Sequence, residues 1–131
     1  MPAMARIPNL QKLALQGGRY DAEAYKFVSQ GLCHAARRLG KRERSGPDRH
    51  LCARELVEGT LDLAAEQYGL LAVEVLRSWG LVNAVDIGEI TFALIEHGVF
   101  SKQPDDRIED FSQGPEFAPA LAARVQRRLL A

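Results

Sequence analysis

The chain has 131 residues, of which 47% are hydrophobic and 26% charged, and its seventeen basic and seventeen acidic residues cancel. This is the composition of a folded domain and excludes a disordered polyelectrolyte. No apolar run reaches the roughly 20 residues that span a bilayer, and the N-terminus lacks the apolar core of a signal peptide, so we expect a cytoplasmic protein without a membrane partner.

Apolar periodicity predicts an N-terminal arm followed by one helical domain. Residues 1–18 show no sustained period, which predicts an arm with at most one short helix. In the domain, residues 19–131, the first helix is capped by Asp21, and its apolar residues recur every three or four positions as far as Leu39. The charged, turn-forming stretch 41–48 predicts a loop.

Four further helices follow in the predicted domain. The second covers 53–68 and carries acids on its outer face, and a short third helix ends at Gly80. The fourth is apolar on nearly all sides, so we expect it at the centre, opened by a capping box from Asp86 to Glu89 and closed by Gly98. The last helix opens at Gly114-Pro115-Glu116, because proline is tolerated in a first turn.

Residues 99–111 predict either a short β-hairpin or an extended strap, clipped to the body by Val99, Ile108 and Phe111. A hairpin after three helices gives a winged-helix-like arrangement, but Glu89 and the acids of the strap have the wrong sign for facing DNA phosphates. The predicted fold class is therefore mainly α, a compact bundle of about five helices with a possible hairpin or strap after the fourth.

Charge is divided along the chain. Residues 1–50 hold ten basic against four acidic residues, whereas residues 51–131 hold seven against thirteen. A basic cluster can bind phosphate, an acidic partner or the protein's own acidic half, although a solvated surface is the simpler interpretation. The candidate interaction residues are Arg37, Arg38, Arg42, Arg44, Arg49, His50 and Trp79.

Trp79, His50 and the cysteines each have a simpler structural interpretation. Trp79 is typical of a core aromatic at a helix end, and Gly88 permits a close helix contact beneath it. His50 follows Asp48, which we expect to cap the second helix. Cys33 and Cys52 are too few for a disulfide framework, and we expect both to be small buried apolar residues.

The sequence predicts no catalytic residue, cofactor or metal. Cys33-His34 and His50-x-Cys52 have the residue types of a zinc site, but adjacent residues on a helix diverge by about 100° and no CxxC pair is present. No phosphate-binding glycine loop occurs, and nothing supplies an oxyanion turn beside a nucleophile. An enzyme is left open but disfavoured.

An ordered series of residues carries a family resemblance. The series comprises Arg49-His50, Glu55-Leu56, Gly59, Tyr68-Gly69, Trp79-Gly80, Asp86-x-Gly88-Glu89-Ile90, Phe92, Leu94-Ile95-Glu96-x-Gly98, Ser101-Lys102 and Asp110-Phe111. With these residues the chain resembles a bacterial family of conserved hypothetical proteins from planctomycetes and verrucomicrobia, over most of its length from about Arg19-Tyr20 to Phe117. The family has no established activity, so the resemblance implies a shape and no mechanism. At Leu51-Cys52-Ala53 the family pattern is Val-Ser-Gly, in which the serine suits an N-cap.

The two halves of the chain have opposite net charge, and no catalytic group is predicted. Together these features favour a non-enzymatic protein-interaction or adaptor module, bound to a protein partner or to a second copy of the chain. The alternative is a nucleic-acid-associated protein that binds through the basic segment 37–49. That segment contains no aromatic residue, so it would bind by charge rather than by base sequence.

Overall fold

The computed structural model describes residues 10–40, 51–100, 102–104 and 106–130, and within these ranges the protein is mainly helical. The α-helices are α1 (Leu10–Gly17), α2 (Ala22–Arg38), α3 (Ala53–Tyr68), α4 (Ala72–Ser78), α5 (Ala84–Glu96) and α6 (Phe117–Leu130). Single 3₁₀ turns occupy Gly69–Leu71 and Ile108–Phe111. The mainly α bundle is confirmed: the five predicted helices are present, together with a short helix within residues 1–18.

Helix boundaries follow local signals in the sequence. The Asp21 carboxylate accepts a hydrogen bond from the Glu23 N–H at 2.9 Å and caps α2 as predicted. Gly40, Gly69, Gly80 and Gly98 follow the ends of α2, α3, α4 and α5 with φ angles of 67°, 53°, 94° and 77°. Because residues with a side chain rarely adopt positive φ, these glycines end the helices.

The predicted cap residues of α3 and α5 are wrong. Helix α5 is capped by Asn83, which exchanges hydrogen bonds with Asp86: the Asp86 N–H donates to Asn83 Oδ1 at 3.2 Å and the Asn83 N–H to Asp86 Oδ2 at 3.1 Å. Asp86 is therefore the third helical residue and not the cap. Helix α3 is capped at Cys52, where the N–H donates to Glu55, and not at Asp48, which lies outside the described residues.

The core forms where α2 crosses α3 at very short range. A methyl group at Gly31 would lie 2.2 Å from Thr60 Oγ1, and one at Gly59 would lie 2.3 Å from Ala35 Cβ. Only glycine permits these approaches, since real carbon atoms do not come so close. Helix α5 packs against both helices with the side chains of Ile90 and other core residues fully buried, as predicted for the central helix.

The described part of the segment after α5 ends in the 3₁₀ turn Ile108–Phe111, which packs against α5. Val99 and Phe111 are buried, whereas Ile108 is 37% exposed and clips the strap less than predicted. The described residues between 99 and 111 contain no strand, so the predicted hairpin, and with it the wing of a winged helix, is absent from them. A methyl group at Gly88 would lie 2.7 Å from the Phe111 ring, which shows that Phe111, and not Trp79, covers this glycine.

Helix α1 packs on α2 and buries Leu13. The division into an arm and a domain stays a prediction. None of the described helices combines the length and apolar character that a bilayer span requires.

The close crossing predicts that Gly59→Ala destabilises the protein. A methyl group raises helix propensity by ~1 kcal/mol, but forcing α2 away from α3 costs roughly 1–3 kcal/mol and should dominate. We expect a lower midpoint in urea denaturation followed by circular dichroism. Gln67→Ala, at an exposed position of the same helix, is the control and should leave the midpoint nearly unchanged. A stability of Gly59→Ala equal to wild type would show that the crossing is looser than described.

Candidate functional site

Three helices meet at an open, arginine-lined cleft of about 290 Å³. Its lining residues are Arg38, Asp62, Arg124, Arg127 and Arg128, which come from α2, α3 and α6. We call this the arginine cleft. The close crossing of α2 and α3 fixes two of its walls, and α6 packs on α3 to supply the third.

Asp62 organises the arginine cleft. Its Oδ2 atom lies 2.8 Å from His34 Nε2, 3.2 Å from an Arg128 amino nitrogen and 3.7 Å from Arg38 Nε. The carboxylate can only accept hydrogen bonds, so His34 Nε2 carries the proton that it donates. One carboxylate thus ties α2 and α6 to α3.

The ionisation of Asp62 reflects these contacts. Burial alone would raise the pKa of Asp62, but the hydrogen bond from His34 and the positive charges of Arg38 and Arg128 lower its pKa below the usual value. Asp62 is therefore held as a carboxylate.

Arg124 is the most enclosed cation of the arginine cleft. Its side chain is only 11% exposed, and its guanidinium pairs with Glu58 on α3. Burial, followed by the charges of Arg127, Arg38 and Arg128, lowers the pKa of Arg124. The guanidinium groups thus repel one another, and the two carboxylates offset only part of their charge.

Arg37 and Arg127 are the arginines at or beside the cleft that are least engaged in ion pairs. Neither Arg37 nor Arg127 forms an ion pair with another described residue, and both are exposed. Arg37 lies three positions after His34, so the two are neighbours on the surface of α2, and Arg37 lies beside the cleft without lining it. An exposed excess of guanidinium groups binds anions, because each presents five N–H donors.

A second polar cluster joins the start of α2 to α5. The Tyr20 hydroxyl lies 2.7 Å from Asp86 Oδ1 and 2.5 Å from Glu89 Oε2, and Arg19 pairs with both carboxylates. Burial, then the hydrogen bonds to Glu89 and Asp86, raises the pKa of Tyr20. Asp86 also accepts hydrogen bonds from the N–H groups of Val82 and Asn83. Because these side chains pair with one another across the two segments, the cluster fastens α5 to the start of α2.

The structure brings only some predicted interaction residues together. Arg38 lines the arginine cleft, and Arg37 is its neighbour. Arg42, Arg44, Arg49 and His50 lie outside the described residues.

Trp79 belongs to the core and not to the arginine cleft. Its ring centroid lies 5.5 Å from that of Phe27 and 6.0 Å from that of Tyr68. Phe27 precedes Arg38 by eleven residues, or roughly 16 Å along a helix axis. Trp79 therefore packs against the core at the end of α4, in agreement with the simpler structural interpretation.

Sequence reasoning missed His34, Asp62 and the three arginines of α6. Their signal was present as helical spacing: Glu58, Asp62 and Glu66 recur every four residues on α3, and Arg124, Arg127 and Arg128 share a face of α6. The sequence pattern does not show that the acidic residues of α3 and the arginines of α6 face each other in the fold.

The cysteines differ from expectation. Cys33 is half-buried and Cys52 is exposed, so the prediction that both are buried is wrong. Among the described residues, no three His, Cys, Asp or Glu side chains are grouped as metal ligands.

No family model, curated protein or solved structure matches the chain. The resemblance to the planctomycete and verrucomicrobial family stays a prediction.

The lowered pKa of Asp62 predicts a pH-dependent stability difference between wild type and Asp62→Asn. A carboxylate with a depressed folded-state pKa stabilises the fold above its unfolded value, near 3.9, and this contribution is lost as the pH falls through the folded value. Thermal melts should therefore show a variant less stable by a few degrees at pH 7, with the gap closing below about pH 4.

Glu74→Gln is the control, because Glu74 is exposed and forms no ion pair with a described residue. It should show almost no gap at either pH. A gap for Asp62→Asn that stayed constant down to pH 2.5 would show that Asp62 acts through packing and not through its charge.

Proposed function

We propose that the protein is a non-enzymatic interaction module that binds an acidic segment of a partner protein through the arginine cleft and Arg37. The observation that carries the proposal is the excess of guanidinium groups where α2, α3 and α6 meet: four arginines line the cleft around one aspartate. Charges that lie far apart along the chain come together in space, because the arginines of the acidic C-terminal half join those at the end of α2.

An acidic protein segment suits this surface better than a nucleic acid duplex. Glu58 and Asp62 lie among the arginines, and Glu66 lies 3.9 Å from His34 Nδ1. A duplex carries one negative charge per about 1.7 Å and would press phosphates against these acids. The cleft lining includes no aromatic side chain for base stacking, which also disfavours single strands. A short peptide can place its carboxylates on the arginines alone.

Fluorescence anisotropy of a labelled peptide rich in Asp and Glu tests the proposal with the full chain. We expect saturable binding that weakens between about 0.05 M and 0.15 M salt, because screening reduces charge attraction. Arg127→Glu and Arg37→Glu should each lower the affinity about tenfold, equivalent to ~1.4 kcal/mol. These two positions are chosen because their reversal breaks no described ion pair.

Arg77→Glu is the matched control. Arg77 is exposed on α4 and lines a different cleft with Glu116 and Phe117, at the opposite end of α6. The same charge reversal there should leave peptide affinity within about twofold of wild type, since charges beyond a Debye length of about 8 Å are largely screened. Equal losses for Arg77→Glu and Arg127→Glu would show net-charge attraction and no defined face.

An RNA and a DNA oligonucleotide serve as the competing ligands in the same assay. Tighter binding of either than of the acidic peptide, reduced by Arg37→Glu, would overturn the proposal in favour of a nucleic-acid-associated protein that uses the basic segment 37–49.

A further inference from the structure

The described groups of the arginine cleft carry more positive than negative charge. Arg38, Arg124, Arg127 and Arg128 bring four positive charges. Asp62 and Glu58 bring two negative charges, each through a direct ion pair. Counting these described groups alone, two positive charges are left in an opening that faces solvent, and Glu66 beside His34 lies outside the cleft lining. A single carboxylate neutralises one of them, whereas a phosphate monoester carries between −1.5 and −2 at neutral pH.

The hydrogen-bonding capacity points to the same ligand. Each guanidinium has five N–H donors, and the described ion pairs use one nitrogen of Arg38, of Arg124 and of Arg128. The side chains of Arg38 and Arg128 are 46% and 42% exposed, so donors of both remain open to a ligand. A phosphate group has three terminal oxygens and can accept from several guanidinium groups at once, whereas a carboxylate has two.

The arginine cleft is also built before any ligand arrives. Asp62 holds Arg38 and Arg128, and Glu58 holds Arg124, so three of the four cations are positioned by ion pairs to α3. Ordering flexible side chains costs affinity, and a site whose arginines are already fixed avoids much of this cost. Its volume of about 290 Å³ leaves room for a phosphate group.

We propose that the arginine cleft is a phosphate-monoester site, and that its ligand is a phosphorylated serine or threonine within an acidic segment of the partner protein. This proposal rests on the proposed function, which already assigns the cleft to an acidic protein segment. Phosphorylation would then switch the partner from weak to tight binding, because phosphate adds charge and acceptor oxygens where the two positive charges remain.

The test compares three labelled peptides that differ at one central position, which is phosphoserine, serine or glutamate, within the same acidic sequence. Fluorescence anisotropy with the full chain should show the phosphoserine peptide binding at least about tenfold more tightly than the other two. Inorganic phosphate should displace it, and phosphorus NMR should show a chemical-shift change of inorganic phosphate on binding. Adenosine monophosphate, which offers the same phosphate group from a nucleotide, should bind more weakly than the phosphoserine peptide.

Two substitutions distinguish the effect of the planar guanidinium group from the effect of its positive charge. Arg127→Lys keeps the positive charge but loses the planar guanidinium group with its five N–H donors. The preference for the phosphoserine peptide over the glutamate peptide should therefore fall by several-fold, while the affinity for the glutamate peptide changes little. Arg77→Lys, outside the cleft, should leave the preference unchanged. Circular dichroism melts of both variants should match that of the wild type, so that a lost preference is assigned to the cleft.

The outcomes distinguish the two proposals. Equal binding of the phosphoserine and glutamate peptides would overturn the phosphate site and leave the acidic-segment module standing. Absence of binding by all three peptides would overturn both. Adenosine monophosphate bound as tightly as the phosphoserine peptide would overturn the assignment to a phosphorylated protein and identify a nucleotide as the source of the phosphate.

Discussion

The arrangement of the molecule depends on how closely α2 approaches α3. Gly31 meets Thr60 and Gly59 meets Ala35 at distances that leave no room for a further methyl group. Within this same stretch of α2, His34 lies 2.8 Å from Asp62 on α3. The spacing of the core therefore sets the spacing of the polar groups above it, because a helix moved outward by a side chain would carry His34 away from its acceptor.

Asp62 gives that geometry an electrostatic consequence. An isolated cluster of arginines repels itself and spreads into solvent, as the lowered pKa of Arg124 reflects after the effect of its burial. Asp62 and Glu58 draw the guanidinium groups of three residues toward α3 and keep them together. The acids are too few to neutralise the arginines, so they concentrate positive charge and do not cancel it. This explains why acids embedded in a basic face are compatible with anion binding.

Much of the fold followed from local signals, whereas the arginine cleft did not. Glycines such as Gly40 and Gly98 ended helices where the periodicity predicted, because a positive φ is a property of a few adjacent residues. The start of α5 was misplaced because Asp86 has two acidic or amide neighbours at capping distance, Asn83 before it and Glu89 after it. The cleft combines residues more than sixty positions apart, such as Glu58 and Arg124, and a charge count along the chain assigned these to one acidic half. Only the packing of α6 on α3 shows that the arginines face the end of α2.

The two polar clusters of the protein show why one of them is the candidate site. Around Tyr20, the carboxylate of Asp86 is 3% exposed and accepts from a hydroxyl, a guanidinium and two backbone N–H groups. Asp86 is thus fully paired and out of reach of a ligand, and opening the cluster would strand its buried charge. The arginine cleft reverses the balance, since its cations outnumber its acids and its donors exceed its internal acceptors. A group that completes this set must bring negative charge and several acceptors from outside, and water supplies only the acceptors.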